Sequence, residues 1–359
     1  MRGEVDPQAA LFSYFSPESR VPAEHPLRAI KADTDAVLKE LCAELDGLYS
    51  STGRPSIPPE RLLKGQLLIA LYSVRSDRQF CQMLDYNILF RWFLDMSLDE
   101  PGLDQSSFSR LRERLVNEDT ARRFFDAVVA RARGQGLLSS DHFTVDGTLI
   151  EAWASSKSFK PKDGPPPPSD GRGGVNFRGQ RRKNETHEST TDPESRSARK
   201  GPGKEAKLSY AGHALMENRN GLCVDLQIRS ADEAESKAAE VLLDRQRRKR
   251  VRPKSLGADK GYHSRGFVQS LRSRGIRPHI ARIEGRRTPG LDERTTRHES
   301  YQISQRKRKR IEEIFGWLKT YGGLRKTRFI GTARVQLQAY LAGAAYNLLR
   351  MSRLQPGTG

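Results

Sequence analysis

Three carboxylates stand out in a strongly basic stretch of chain. Asp146 lies within "FTVDGT", Asp259 closes "SLGAD", and Glu312 sits in "RKRIEEIFGWLK". An ionised carboxylate on an apolar strand is costly to desolvate unless a cation or hydrogen-bond donors compensate it. Two such strands beside a carboxylate-bearing helix bring oxygen ligands to one place. That donor set suits hard divalent cations such as Mg²⁺, which keep waters and substrate phosphate oxygens as their other ligands. With two ions bound, one activates an attacking oxygen and the other steadies the leaving oxygen of a phosphoryl displacement. The alternative is that each acid is an ordinary turn or surface residue.

The helix around Glu312 sharpens the choice. At 100° per residue, Ile311, Ile314, Phe315 and Leu318 form its buried stripe. Arg308, Glu312 and Lys319 fall within about 40° of one another on a second stripe. One face therefore offers a carboxylate flanked by two cations, suited to a metal and to phosphates on either side. Glu313 points away and is expected to pair with Lys309. Helical charge balance accounts for Arg308 but not for Lys319.

Charge is unevenly divided along the 359 residues, whose net formal charge is +19. Residues 1–140 carry 18 Lys and Arg against 20 Asp and Glu, whereas residues 141–359 carry 45 against 24. The excess points to a polyanionic partner for the second part. "DRQRRKRVRPK", with Arg245, Arg247 and Arg248, reads as a phosphate-contacting segment, and Lys260 follows Asp259 directly. "GRGGVNFRGQRRK" resembles flexible nucleic-acid-binding tracts. Cys42, Cys81 and Cys223 match neither a zinc spacing nor a disulfide framework, which suits a reducing cytoplasm. No apolar run is long enough to span a bilayer, and the N-terminus does not read as a signal peptide.

The elements that must position these residues fall into two groups. Residues 1–135 read as helices around one apolar core. "SIPPERLLKGQLLIALYSV" has Pro at its entry and Leu62, Leu63, Leu67, Ile69 and Leu71 at helical spacing. "NEDTARRFFDAVVARARGQG" opens on capping residues, puts Phe124, Phe125, Val128 and Val129 on one face, and stops at Gly134. A helix-turn-helix and a bundle that only packs are both open.

From residue 136 to 350 the order is strand, hairpin, helix, strand, helix, strand, helix, an α/β sheet with packed helices. "HFTVDGTLIEAW" reads as a strand with a tight turn at its Gly, and "ENRNG" as a hairpin turn at Asn220-Gly221. "YQISQRKRKRIEEIFGWLKTYGG" reads as one long basic helix, and "RVQLQAYLAGAAYNLLRMSRL" as a last amphipathic one. Residues 158–205, rich in Pro, Gly, Ser and charge, read as a disordered basic insertion, and 351–359 as a tail. His263 is either a general acid or phosphate ligand, or a turn residue with a satisfied hydrogen bond. Trp317 reads as core rather than a stacking platform; Trp153 is either packing or site entrance.

These segments resemble the bacterial insertion-sequence DDE transposases, in particular the group typified by insertion sequence five. "GRPSIPPERLLKGQLLIALYSVRSDRQFCQMLDYNILFRWFLD" is similar to that group's N-terminal helical domain. "FTVDGTLIEAWAS", "NETHESTTDPESR" and "KLSYAGHALMENRNGLCVD" resemble its first catalytic stretch and the segments after it. "GADKGYHS" resembles the second-aspartate motif and "RKRIEEIFGWLK" the third. The family signature around the Glu is Tyr, two residues, Arg, three residues, Glu, six residues, Lys. Arg308, Glu312 and Lys319 fit it, while Gln305 stands where the Tyr would be.

The resemblance implies an RNase H-like core in which Asp146, Asp259 and Glu312 converge to hold two ions of Mg²⁺ or Mn²⁺. It further implies metal-dependent cleavage at terminal inverted repeats and attack of the exposed 3′-OH on target DNA. Arg308, Lys319, Lys260, Arg245, Arg247 and Arg248 are the expected DNA contacts. A homodimer on DNA in the cytoplasm, at the nucleoid, is expected, with no membrane and no small-molecule substrate. A DNA-binding regulator without catalysis and a structure-directed nuclease are the rival readings.

Overall fold

The computed structural model describes residues 15–49, 52, 56–162, 182–201, 203–283, 285 and 288–354. Among the described residues, seven helices come first: α1 (Pro17–Arg20), α2 (Leu27–Asp46), α3 (Pro59–Leu71), α4 (Asp77–Tyr86), α5 (Ile88–Phe93), α6 (Gln105–Leu115) and α7 (Glu118–Gly134). Their starts are written in the local sequence. Ser76, Asn87, Asp104 and Asn117 each accept a backbone N–H of the following first turn, and Pro59 opens α3. Phe80 packs on Phe90 and Phe108 with ring centroids 6.0 and 5.2 Å apart. Gly65 lets them close in, since a Cβ there would lie 3.0 Å from Phe80 and 3.1 Å from Phe108.

The strands come next. They are β1 (His142–Glu151), β2 (Phe159–Pro161), β3 (His187–Ser189), β4 (Arg196–Arg199), β5 (Ala206–Glu217), β6 (Cys223–Ser230), β7 (Ser255–Ala258) and β8 (Arg277–Ile280). All but β2 and β3 belong to one sheet. β5 pairs antiparallel with β1, and also with β6 and the short β4. β7 pairs parallel with β1, and β8 parallel with β7. The core order β6-β5-β1-β7-β8, three antiparallel strands continued by two parallel ones, is the RNase H-like arrangement. Helices α8 (Glu235–Arg248) and α9 (Arg265–Ser273) make the crossovers that the parallel strands require. After β8 come α10 (Glu293–Thr296), α11 (Glu299–Lys307), α12 (Ile311–Thr320) and α13 (Thr332–Leu354).

α13 joins the two halves of the chain. It packs on α7, α3 and α2 on one side and on β6 on the other. Leu341, Ala342, Ala344, Ala345 and Leu348 are all buried, so the helix is enclosed rather than amphipathic as its sequence suggests. Gly343 marks the tightest crossing: a Cβ there would run into Leu226 and lie 3.0 Å from the Phe125 ring. Polar side chains of α13 also complete the hydrogen bonding of β6. Asn347 accepts from Cys223 N–H at 2.9 Å and donates to its carbonyl at 2.7 Å, while Gln336 accepts from Ile228 N–H at 2.6 Å. Asn347→Leu would leave both Cys223 groups buried without partners. It is expected to cost about 2 kcal/mol in denaturant unfolding, with the midpoint as the readout.

Two expectations around the acids are corrected. β1 runs unbroken through Asp146 and Gly147, so no turn forms there; Gly147 pairs with His213 of β5. The long basic helix is divided into α11 and α12 by a 3₁₀ turn at Arg308–Arg310. That tighter turn advances about 120° per residue, so the ideal-helix angles do not carry across it.

The insertion is also corrected, since it is folded where it is described. β2 pairs with β3, and β4 extends β5. Ser189, Asp192 and Ser195 are fully buried. Asp192 accepts from the Tyr210 hydroxyl at 2.5 Å, and the Ser158 and Ser189 hydroxyls bond at 2.7 Å. Composition misleads because buried polar hydrogen bonds, with one apolar anchor in Phe159 stacked on His187, fix this segment. Most of "GRGGVNFRGQRRK" lies outside the described residues.

Candidate active site

β1 lies between antiparallel β5 and parallel β7, and the carboxyl ends of parallel strands at such a switch commonly form sites. Asp146 projects from β1, and its Oδ1 accepts the Gly147 N–H at 2.8 Å. Asp259 follows β7 directly; its Oδ1 accepts the Gly261 N–H at 2.8 Å and caps a 3₁₀ turn. Glu312 is exposed in the first turn of α12, a helix that packs on β1.

Electrostatics ties the three together. Burial, then the charges of Asp259 and Glu312, push the Asp146 carboxyl up to about 6, while the Gly147 N–H and the Arg308 charge oppose the shift. Carboxylates facing one another in this way match a hard divalent cation in donor chemistry. Among the described residues no three His, Cys, Asp or Glu side chains are gathered tightly enough to enclose an ion. Asp259 and Glu312 are each within electrostatic reach of Asp146, and the three are not in chelating contact.

Sequence reasoning missed Glu235. It opens α8, and its carboxyl is raised by desolvation and by the charges of Asp259 and Asp146. An acid in the first turn of a helix is ordinary, so only the tertiary placement marks it. Tyr262 is fully buried, and its hydroxyl has no partner among the described residues. Burial raises it well above the usual tyrosine range, and Glu235, Asp146 and Asp259 add to the shift. His213 is 1% exposed with both ring nitrogens unpartnered among the described residues, and burial lowers its pKa to about 4. His263 is buried and its Nδ1 accepts the Ile283 N–H at 3.0 Å, which matches the turn-residue alternative.

The expected DNA contacts divide. Lys260, Arg247 and Arg248 are all exposed. Arg308 donates to Gln305 Oε1 at 3.1 Å, and Gln305, where the family has Tyr, donates to the His279 carbonyl at 2.6 Å. Arg245 instead turns inward: its guanidinium lies 3.8 Å from the buried Asp225 and 3.4 Å from the Tyr340 hydroxyl. Lys319 is half-buried and donates to Thr148 Oγ1 at 2.6 Å, tying α12 to β1, and burial lowers its pKa. In both cases a polar partner distant in sequence holds the cation in the DNA-free protein. Glu313 likewise pairs with Arg310 and Arg350, at 3.7 and 3.6 Å, rather than with Lys309. Trp317 packs against the core beside Tyr346, whereas Trp153 is 56% exposed with Lys326 over its ring. No helix among the described residues is long and apolar enough to cross a membrane.

No curated protein matches the chain. Among solved structures, the chain is similar to a piggyBac transposase synaptic complex with hairpin DNA. The identity is 13% over 91% of this chain and 75% of that chain, with a TM-score of 0.40. It is also similar to a Mos1 strand transfer complex, at 12% identity over 84% and 79%, with a TM-score of 0.22. The family model "Transposase domain (DUF772)" matches residues 15–114. The model "Transposase DDE domain" matches residues 140–348, more than half of the chain, and takes in all three acids. The chain belongs to the DDE transposases, metal-dependent enzymes that cut and join DNA.

Proposed function

We propose that this transposase binds the terminal inverted repeats of an insertion sequence, cleaves there to expose 3′-OH ends, and joins them to target DNA. The observation that carries the proposal is the convergence of the Asp259 and Glu312 charges on the half-buried Asp146, the three acids being delivered by β1, the end of β7 and α12. These three would hold two ions of Mg²⁺ or Mn²⁺, which supply charge stabilisation and an activated attacking oxygen when bound. Arg308 offsets part of the acidic charge at Asp146. Lys260, Arg247 and Arg248 meet phosphates, with the excess positive charge of residues 141–359 behind them.

In this scheme residues 1–135 bind the DNA end and dimerise and residues 136–350 are the catalytic domain; the tail expected from residue 351 is corrected, since α13 runs on to Leu354 with Met351 and Ser352 buried. Two ends must be held together, so a homodimer works on DNA, in the cytoplasm at the nucleoid. The test uses full-length protein, Mg²⁺ and duplexes carrying the inverted repeats that flank the coding region. Release of a 3′-OH at the repeat boundary, followed by its joining to a second duplex, is expected. Equal cutting of duplexes without repeats, and no joining, would instead favour a structure-directed nuclease. Binding with no cutting would favour a regulator.

A further inference from the structure

We propose that Glu235 is a fourth carboxylate of the metal-holding site, closing the space between Asp146 and Asp259 from the side of α8. This rests on the reading of those two residues as metal ligands. Glu235 reaches both of the segments that carry them. Its Oε1 lies 3.2 Å from where a Cβ on Gly147 would stand, and its Oε2 lies 3.4 Å from the corresponding position on Gly261. Each aspartate is thus followed within two residues by a glycine whose missing side chain leaves room for one oxygen of the same carboxylate. A Cβ at Gly147 would press on Glu235, and one at Gly261 would lie 3.0 Å from Asp259 Oδ1 with Glu235 in contact behind it.

The walls of this space carry a second, independent sign of an occupant. The Tyr262 hydroxyl is fully buried, has no partner among the described residues, and is within electrostatic reach of Glu235, Asp146 and Asp259. His213 is 1% exposed with neither ring nitrogen bonded to a described residue. Its Nδ1 lies 3.0 Å from the same Gly147 position that Glu235 approaches. Buried polar atoms without partners are rare, and each calls for a hydrogen-bonding neighbour. A hydrated divalent cation would bring hydrogen-bonding neighbours to the Tyr262 hydroxyl and to His213 Nδ1 together. Its charge suits the carboxylates, and the waters of its hydration shell offer Tyr262 and His213 hydrogen-bond donors, where ionised carboxylates alone offer only acceptors.

The test is metal binding itself, without DNA. Full-length wild type, Glu235→Gln, Glu235→Asp and Asp146→Asn are titrated with Mn²⁺, free Mn²⁺ is read by electron paramagnetic resonance, and folding is checked by circular dichroism. Glu235→Gln is expected to weaken Mn²⁺ binding at least about tenfold or to remove one bound ion. Glu235→Asp should recover part of the loss. Wild-type affinity and stoichiometry in Glu235→Gln, alongside loss in Asp146→Asn, would overturn the assignment of Glu235 and leave the site standing. Unchanged binding in Asp146→Asn as well would overturn both.

Discussion

Asp146→Asn is expected to abolish metal-dependent strand cleavage and, without divalent ions, to make the protein more stable at pH 7. The loss of activity should be on the order of a thousandfold, because a metal-holding carboxylate supports several kcal/mol of transition-state charge stabilisation. The gain in stability has a separate origin. Burial and two neighbouring acids raise the Asp146 carboxyl from 3.8 to about 6, so its charged form is disfavoured in the folded protein. A folded value above the unfolded one gives stability that is complete below about pH 4 and lost as pH rises through about 6. At pH 7 the ionised group therefore carries a cost, which the neutral amide removes. The gain should be about 1–3 kcal/mol, discounted for partial solvent access. It should fade as pH falls below 6 and vanish near 4, and Mg²⁺ should stabilise wild type but not the variant. Thermal unfolding across pH, with and without Mg²⁺, measures all of this. A variant less stable than wild type at pH 7 without metal would sink the electrostatic account.

Asp77→Ala is expected to destabilise the fold strongly. Asp77 is 8% exposed at the start of α4, and one carboxylate serves two cations. Arg112 of α6 lies 3.1 Å from its Oδ2, and Arg328, beyond α12, lies 3.1 Å from its Oδ1. Ser109 also donates to it at 3.1 Å. The Phe329 ring lies under both guanidiniums, 5.5 and 5.2 Å from their centres. Removing the carboxylate leaves the buried Arg112 facing Arg328 with no shared counter-charge. Breaking a buried pair from one side costs about 3–5 kcal/mol. Urea unfolding reads the change. Because Arg328 lies far along the chain from α4 and α6, protease sensitivity around residues 77–112 should rise together with the loss. A cost below about 1 kcal/mol would mean the pairs behave as solvated surface bridges.

Much of the fold is legible in the chain. Helix starts announce themselves through Ser76, Asn87, Asp104 and Asn117, because capping is a local hydrogen bond. The hairpin between β5 and β6 is announced by Asn220-Gly221, where Gly221 takes φ +72°. The buried stripe Ile311, Ile314, Phe315 and Leu318 follows from helical spacing, and all four are buried. The acids Asp146, Asp259 and Glu312 are conspicuous because a basic segment isolates them. Glu235 is not conspicuous, since "EAESK" reads as any charged helix start.

What the sequence determined by itself is therefore local: element types, their caps, the apolar faces, and the uneven charge that calls for a polyanion. These depend on neighbours a few residues away, and periodicity records them. The tertiary structure alone decided which polar groups meet. Arg245 turned to Asp225, and Lys319 to Thr148 across 171 residues. Glu235 arrived beside Gly147 and Gly261, and the polar second half of the insertion was locked onto Tyr210. The order of strands sets such meetings, and a charged side chain's choice between solvent and a partner is settled only once that order has set its distance to every other charge.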